Sequence, residues 1–227
     1  MTSQATNLLP TSSTPSDNLR AVLEALKAEK NRRLIEDRLR YYRPYPKQSE
    51  FHAAGQSHRE RLLMAGNQLG KTLAGGFEAA IHATGRYPDG WSGRRFDRPT
   101  NGWACGITGE VVRDTVQKTL VGRPGQEGTG AIPKDALAEL VSARGIPDLL
   151  DTIKVNHVSG GVSVIGLKTY ASGSEKLQGE TLDLVWFDEE PPADIYTEGL
   201  TRTNVGANPV WMSSRHSWEC PRWCGDF

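Results

Sequence analysis

One short stretch decides the fold of this 227-residue chain. It reads Ala65-Gly66-Asn67-Gln68-Leu69-Gly70-Lys71-Thr72. The apolar run at 61–65 predicts a buried strand before it, and residues 71–84 predict a helix that ends at Gly85. A strand, a glycine-containing turn and a helix that begins with Lys-Thr together predict a phosphate-binding loop.

The chemistry of such a loop assigns a role to each part of it. Successive backbone N–H groups at the helix N-terminus wrap a β-phosphate, Lys71 reaches the β- and γ-phosphate oxygens, and the Thr72 hydroxyl binds Mg²⁺. Gly70 permits the close approach of backbone to phosphate. The usual pattern starts with glycine, and Ala65 stands at that position. The loop alone therefore leaves open a chance Gly-Lys-Thr, and the flanking strand and helix favour the nucleotide site.

A second motif is the apolar strand 182–187, which ends in the carboxylates of Asp188 and Glu189. We expect Asp188 to hold Mg²⁺ through water and Glu189 to polarise the attacking water. An acidic surface turn is the alternative, because two prolines follow. Asp188 lies 117 residues after Lys71, each motif on its own strand. Together the motifs predict an ATPase with Lys71 and Glu189 as catalytic residues and Thr72 and Asp188 as Mg²⁺ ligands.

Composition excludes several other classes. The chain has 27 basic and 27 acidic residues, no stretch of 18 apolar residues and only three cysteines. A membrane span, a secretory signal and a disulfide framework are therefore not expected. The zero net charge gives no global attraction to nucleic acid, so DNA would need a local patch. Residues 20–61, with eleven Lys/Arg against six Asp/Glu, provide either such a patch or a solvated helix face.

The order of elements predicts an α/β fold with a mainly parallel sheet flanked by helices. Around the two motifs we expect a disordered leader at 1–18, an amphipathic helix at 19–43 that ends near Tyr41, and an ATPase domain at 44–213. Further elements are expected within that domain: a strand at 103–108, helices at 110–120 and 134–142, a hairpin at 153–170 and a strand at 210–213.

These motifs resemble the N-terminal ATPase domain of bacteriophage terminase large subunits, the DNA-packaging motors. The resemblance covers about residues 40–213. The resemblance rests on five segments: the loop 66–72, the run 184–192, the stretch 103–118, the segment 175–179 and Tyr45-Pro46-Lys47-Gln48-Ser49-Glu50-Phe51-His52. It implies a P-loop ATPase fold of the ASCE type that binds ATP and Mg²⁺.

The resemblance also implies site residues and partners. Gln48, about 20 residues before the loop, corresponds to the adenine-recognition glutamine. Some relatives carry an arginine finger where this chain has Gln178, which leaves Arg202 either as a candidate for that role or as a plain loop charge. The implied partners are double-stranded DNA, a portal protein, a terminase small subunit and further copies in a ring, with no membrane. The implied location is the host cytoplasm, outside the virion.

The C-terminal stretch departs from the family. Residues 211–227 hold three of the six Trp and two of the three Cys. We expect 214–227 to be an out-of-frame tail after a frameshift near Ser213, with the nuclease domain of the family absent; a zinc site at His216, Cys220 and Cys224 is the weaker alternative. The function alternatives that stay open are another P-loop translocase of the helicase kind and a non-catalytic truncated remnant.

Overall fold

The computed structural model describes residues 15–66, 68–173, 179–205 and 209–214. The expected leader therefore lies outside the described residues except for 15–18, which form the first turn of a helix. The expected tail lies outside them except for Ser214, the last residue of a strand.

Helices and strands alternate only in part, because three strands follow one another after the middle of the chain. The helices are α1 (Pro15–Glu36), α2 (Pro46–Ala54), α3 (Lys71–Thr84), α4 (Gly109–Val111), α5 (Lys118–Val121) and α6 (Ala193–Arg202). The strands are β1 (Glu60–Met64), β2 (Asn101–Gly106), β3 (Leu137–Ser142), β4 (Leu150–Asn156), β5 (Val162–Thr169), β6 (Leu184–Asp188) and β7 (Val210–Ser214). A π-helical stretch, Val112–Gln117, joins α4 to α5, so the helix predicted at 110–120 is present with a wider middle.

One seven-stranded sheet has the order β1-β7-β6-β2-β5-β4-β3. The pairs from β1 to β5 in this order are parallel, and the hairpin β4–β5 and the edge pair β3–β4 are antiparallel. The predicted α/β class with a mainly parallel sheet is confirmed. Strand β7 separates β1, which leads into the phosphate loop, from β6, which ends in Asp188, so the carboxyl ends of three parallel strands meet at one edge.

Both faces of the sheet are covered. Successive residues of a strand point to opposite faces, so β6 supplies Leu184 and Trp186 to one core and Val185 and Phe187 to the other. The first core is closed by α3 and the π-helical stretch, and the second by α6. A near-continuous apolar strand such as β6 is what a doubly covered parallel strand requires.

Helix α3 approaches the sheet closely because it carries glycine at the contact. A Cβ on Gly75 would lie 2.5 Å from Nε1 of Trp186. The indole occupies that space and donates a hydrogen bond to the Ser213 hydroxyl at 3.2 Å. This packing sets the phosphate loop, at the start of α3, against the ends of β6 and β7.

The helix predicted at 134–142 is wrong. Residues Lys134–Ala136 form a single 3-10 turn, and Leu137–Ser142 form strand β3 at the edge of the sheet. Ala, Leu and Glu favour helix in isolation, but pairing with β4 and the burial of Ala136 decide the conformation here.

Helix α1 begins earlier and ends earlier than expected. It stops at Glu36, although Leu39 continues the apolar spacing on which the prediction to Tyr41 was based. Leu39 and Tyr42 are buried instead, and Tyr42 stacks on Phe77 of α3 with ring centroids 4.1 Å apart. The chain turns after α1 and brings Tyr42 onto α3. The apolar side chains of α1 itself are exposed.

Candidate nucleotide-binding site

The loop between β1 and α3 contains two left-handed backbone conformations, at Gln68 (φ 62°) and Gly70 (φ 78°). A Cβ on Gly70 would also lie only 2.8 Å from Nε2 of Gln48. The left-handed conformation favours glycine at this position, and a Cβ there would also displace the amide of Gln48. Ala65, Gly66 and Leu69 complete the described turn, and Leu69 is exposed.

Asn67, the remaining member of the predicted loop, lies outside the described residues. The turn leads directly into α3, whose first backbone N–H groups carry the positive end of a helix of 14 residues. The local geometry is therefore that of an anion-binding loop at a helix N-terminus.

Lys71 turns back over the loop that precedes it. The residue is buried, and its Nζ donates hydrogen bonds to the carbonyl oxygens of Ala65 at 2.7 Å and Gly66 at 2.8 Å. The ammonium group thus lies within the curve of the loop beside the first turn of α3. A phosphate bound to the loop amides would meet this cation directly.

Thr72, Asp188 and Ser213 meet at the carboxyl edge of the sheet. The Thr72 hydroxyl donates to Asp188 Oδ1 at 2.9 Å and lies 3.2 Å from Oδ2, and the Ser213 hydroxyl donates to Oδ1 at 2.9 Å. Burial raises the pKa of the Asp188 carboxyl, although the hydrogen bonds from Ser213 and Thr72 oppose that effect. A buried carboxylate of this kind is stabilised by a nearby cation.

The donor set fits Mg²⁺. A hydroxyl and a carboxylate supply oxygen ligands, and Mg²⁺ takes few protein ligands because substrate phosphates and water complete its octahedron. In the described part of the chain, no three His, Cys, Asp or Glu side chains gather closely enough to hold a metal by themselves. Thr72 and Asp188 would leave the remaining positions around such an ion to nucleotide phosphate and water.

Glu189 follows β6 in an unusual conformation. It is half-buried, and its φ of 72° lies in the left-handed region that non-glycine residues rarely occupy. Its backbone N–H donates to the carbonyl of Ser213 at 2.7 Å, and its own carbonyl accepts a hydrogen bond from the Tyr170 hydroxyl at 2.9 Å. The strand thus ends in a sharp backbone turn at the predicted catalytic carboxylate.

Gln48 lies beside the loop, as its predicted role requires. It is buried in α2, where its Nε2 donates to the carbonyl of Gly70 at 2.9 Å and its Oε1 accepts from the backbone N–H of Tyr45 at 2.8 Å. Both ends of the amide bind backbone, so this side chain ties the start of α2 to the phosphate loop. Each end of the amide keeps one further hydrogen-bonding position, since the nitrogen has a second N–H and the oxygen a second lone pair.

Arg202 is not brought to this site within the chain. Its guanidinium pairs with Glu198 one turn earlier in α6, and its carbonyl accepts from the N–H of Leu182 at 2.9 Å. Leu182 lies just before the start of β6 and Asp188 lies at its end, and a strand of this length spans about 13 Å. The backbone of Arg202 is therefore at the opposite end of β6 from the Asp188 carboxylate. The part of the finger segment that includes Gln178 lies outside the described residues.

A buried ion-pair network, which the sequence analysis missed, lies further along α3. Arg61 of β1 donates to both oxygens of Glu78, at 2.6 and 3.1 Å, and His52 Nδ1 lies 2.7 Å from Glu78 Oε2. Burial alone would raise the pKa of Glu78, but the charge of Arg61 and the hydrogen bond with His52 hold it well below its usual range. The network fastens α2 and β1 to the helix that carries Lys71.

Ser213 and Tyr170 are further residues at the site that sequence reasoning did not single out. Ser213 is the last residue of a predicted strand, but the sequence did not show that this strand lies next to β6 in the sheet. Tyr170 lies 18 residues before Asp188, yet its hydroxyl reaches the carbonyls of Asp188 and Glu189. The sequence marks Tyr170 only as the last residue of the predicted hairpin.

A phosphate loop after an edge-side parallel strand, with a strand-terminal carboxylate bonded to the loop's threonine, defines a P-loop NTPase. A family model described as "Terminase large subunit, T4likevirus-type, N-terminal" matches residues 62–212. The chain belongs to this terminase large-subunit family. Within the described residues, none of the helices has the length and apolar character needed to cross a bilayer.

Individual relatives agree with this assignment. The terminase large subunit of Salmonella phage P22 is 43% identical in an alignment that covers 81% of this chain and 40% of that protein. The chain thus spans about two fifths of the length of this relative.

Solved structures agree on the fold. The large terminase ATPase domain of Thermus phage P74-26, in a mutant form, matches with a TM-score of 0.53 at 21% identity, covering 78% of this chain and 67% of that one. The large terminase of another thermophilic bacteriophage, in complex with ADP, matches with a TM-score of 0.51 at 15% identity, covering 75% and 39%. At these identities the likeness establishes the fold alone, which is that of large-terminase ATPase domains.

Proposed function

We propose that residues 44–213 form the ATP-hydrolysing motor domain of a phage terminase large subunit, which drives double-stranded DNA into a procapsid. The observation that carries the proposal is the hydrogen bond from Thr72 to Asp188, 2.9 Å long. It joins the helix of the phosphate loop to the end of the strand predicted to hold the metal. In a P-loop ATPase these two residues hold the same Mg²⁺ ion.

The residues then divide the chemistry among themselves. The loop amides and Lys71 bind the β- and γ-phosphates and offset their charge, while Thr72 and Asp188 hold Mg²⁺, which when bound neutralises charge that builds up on the phosphate oxygens. Glu189 accepts the proton of a water whose oxygen attacks the γ-phosphorus. The bond from the γ-phosphorus to the bridging oxygen breaks, and ADP and phosphate leave.

Family membership supports the wider role. By relation to the P22 terminase large subunit, we propose that the chain acts on double-stranded DNA with a portal protein and a terminase small subunit, as part of a ring of identical subunits in the host cytoplasm. The arginine finger of such a ring is either Arg202 of a neighbouring subunit, released from its pair with Glu198, or an arginine elsewhere in the chain. The exposed basic residues of α1 and of the turn that follows it are the local patch we propose for DNA contact, and Arg61 is not part of it, because it is buried with Glu78.

The test has two levels. Purified chain should hydrolyse ATP only with Mg²⁺, and Lys71→Ala should abolish hydrolysis, while Lys47→Ala should not, because Lys47 is exposed and pairs with Glu50 on the surface of α2. In a packaging assay with procapsids and the small subunit, Lys71→Ala in the full-length protein should leave DNA sensitive to nuclease. Absence of hydrolysis by the unaltered chain would instead favour a non-catalytic remnant, and packaging that survives Lys71→Ala would overturn the proposed role.

A further inference from the structure

Tyr170 occupies a special place relative to the end of β6. It starts a 3-10 turn (Tyr170–Ser172) directly after β5, and strand β2 lies between β5 and β6. The N–H of Ala171 donates to the carbonyl of Ile107, which fixes this turn to the end of β2. The tyrosine ring is buried and reaches across to Phe187, with ring centroids 6.2 Å apart.

The Tyr170 hydroxyl contacts two successive backbone carbonyl groups, those of Asp188 and Glu189. It is 3.1 Å from the carbonyl oxygen of Asp188 and 2.9 Å from that of Glu189, and its single proton is shared between the two. The peptide that joins Asp188 to Glu189 also donates its N–H to Ser213. Both peptide units that flank the Glu189 Cα are therefore held by hydrogen bonds.

These hydrogen bonds restrain Glu189 in a backbone conformation that is unfavourable by itself. Glu189 has a φ of 72°, which costs free energy for a residue with a Cβ and persists only where the surroundings impose it. Release of the two carbonyls would let φ return to the ordinary negative region and would swing the carboxylate away from its present direction. The Tyr170 hydroxyl, which follows β5, opposes this change in the backbone of Glu189.

We propose that Tyr170 is a positioning residue for hydrolysis: its hydroxyl holds the backbone of Glu189 in the left-handed conformation that aims the catalytic carboxylate at the attacking water. The inference rests on the proposed function. Tyr170 acts through Glu189 and does not touch the nucleotide, so its loss should lower turnover and leave nucleotide affinity unchanged.

The variant Tyr170→Phe keeps the ring and removes the hydroxyl. We expect kcat for ATP to fall about 10- to 100-fold, the range that a displaced catalytic group produces, with KM and ADP affinity within about twofold of the unaltered chain. The matched control is Tyr196→Phe. The Tyr196 ring also packs on Phe187, but its hydroxyl donates to Glu60, so kcat should be unchanged.

A double-mutant cycle separates positioning from a general structural effect. Once Glu189→Ala has removed the carboxylate, Tyr170→Phe should cause no further loss of kcat. If Tyr170→Phe lowers kcat by the same factor in both backgrounds, or leaves kcat at the native value in the unaltered chain, the inference is wrong. Incorporation of 4-fluorophenylalanine at 170, which fills the space of the hydroxyl but donates no proton, should match Tyr170→Phe; recovery of kcat would mean that the hydroxyl only fills space.

A structural readout keeps the inference separate from the proposed function. If the unaltered chain does not hydrolyse ATP, or if Glu189→Ala hydrolyses it normally, the proposed function fails. In that case a crystal structure of Tyr170→Phe still tests whether the hydroxyl holds the Glu189 backbone, because this test does not depend on ATP hydrolysis. We expect Glu189 to leave the left-handed region in that variant, and retention of a positive φ would overturn the inference in either case.

Discussion

The Thr72 hydroxyl donates a hydrogen bond to the Asp188 carboxylate across 116 positions of sequence. The bond joins the start of α3 to the end of β6, and Ser213 of the intervening strand donates to the same carboxylate oxygen. Three elements thus present oxygen atoms at one point beside the phosphate loop. The proposed ATPase chemistry of this chain depends on that point.

Asp188→Asn should separate function from stability. The substitution keeps an oxygen that accepts hydrogen bonds and removes a buried charge, whose cost is shown by the raised pKa of the native carboxyl. We expect Mg²⁺-dependent hydrolysis to be lost and the thermal unfolding midpoint to be equal to or above that of the unaltered chain. Calorimetry and an ATPase assay check both halves, and a marked fall in the midpoint would contradict this view of Asp188 as a residue kept for function.

Gly70→Ala should weaken nucleotide binding. The added Cβ meets Gln48 Nε2 at 2.8 Å and sits at a φ of 78°, so the backbone is strained and the Gln48 amide must move from its bond to the Gly70 carbonyl. We expect a stability loss of about 1–2 kcal/mol and an affinity for ADP at least about tenfold lower. Gly90→Ala is the control, because Gly90 has a φ of 77° and nothing within 4 Å of an added Cβ. Equal loss of ADP affinity in both variants would refute this explanation.

Glu78→Gln should destabilise the chain strongly. It leaves the buried guanidinium of Arg61 without its charge partner, which costs about 3–5 kcal/mol in comparable sites. Asp135→Asn removes the partner of Arg86 in an ion pair whose carboxylate side is 69% exposed, and it should cost about 1 kcal/mol or less. Urea unfolding of the two variants measures the fall in the free energy of unfolding. Similar falls would mean that burial does not determine how much the Glu78–Arg61 pair contributes to stability.

Stability should fall as the pH is lowered. Burial lowers the pKa of His82, so the folded state keeps this ring neutral while the unfolded chain takes up a proton below about pH 6.5. The pKa of Glu78 is also lowered in the fold, so its contribution is present above about pH 4.5 and is lost as the pH falls further. Both effects act in the same direction. Urea unfolding at pH 7 and 5.5 should show the loss due to His82, and His82→Gln should reduce the slope between these values; an unchanged slope would contradict the assignment.

The sequence predicted the parts of the site that lie within one strand-turn-helix unit or at one strand end. Lys71, Thr72 and Asp188 could be placed because a phosphate loop needs each of them at a fixed distance from a local element. Ser213 and Tyr170 could not, since their roles depend on β7 lying between β1 and β6 and on a turn that crosses from β5. The buried position of Glu78 escaped prediction for the same reason, because its partner Arg61 is on another element.

Fold prediction failed where tertiary contacts outweigh local preference. Residues 137–142 favour helix by composition, yet pairing with β4 makes them a strand. Helix α1 ends at Glu36 and not near Tyr41, and Leu39 and Tyr42 are buried in the turn that follows, where Tyr42 stacks on Phe77 of α3. Strand β6, whose apolar run arises from burial on both faces, was predicted correctly. The run at 61–65 predicted a buried strand as well, but β1 lies at the edge of the sheet, where Leu62 and Met64 are exposed.

Two neighbouring carboxylates allow the sharpest comparison in a single assay. Glu189→Ala and Glu190→Ala make the same change at adjacent positions, and Glu190 is the exposed one. Single-turnover hydrolysis of ATP with Mg²⁺ should be reduced by about 100-fold or more in Glu189→Ala, with ATP binding retained, and should be nearly normal in Glu190→Ala. Equal rates in the two variants, or native turnover in Glu189→Ala, would contradict the assignment of this site as the ATPase centre.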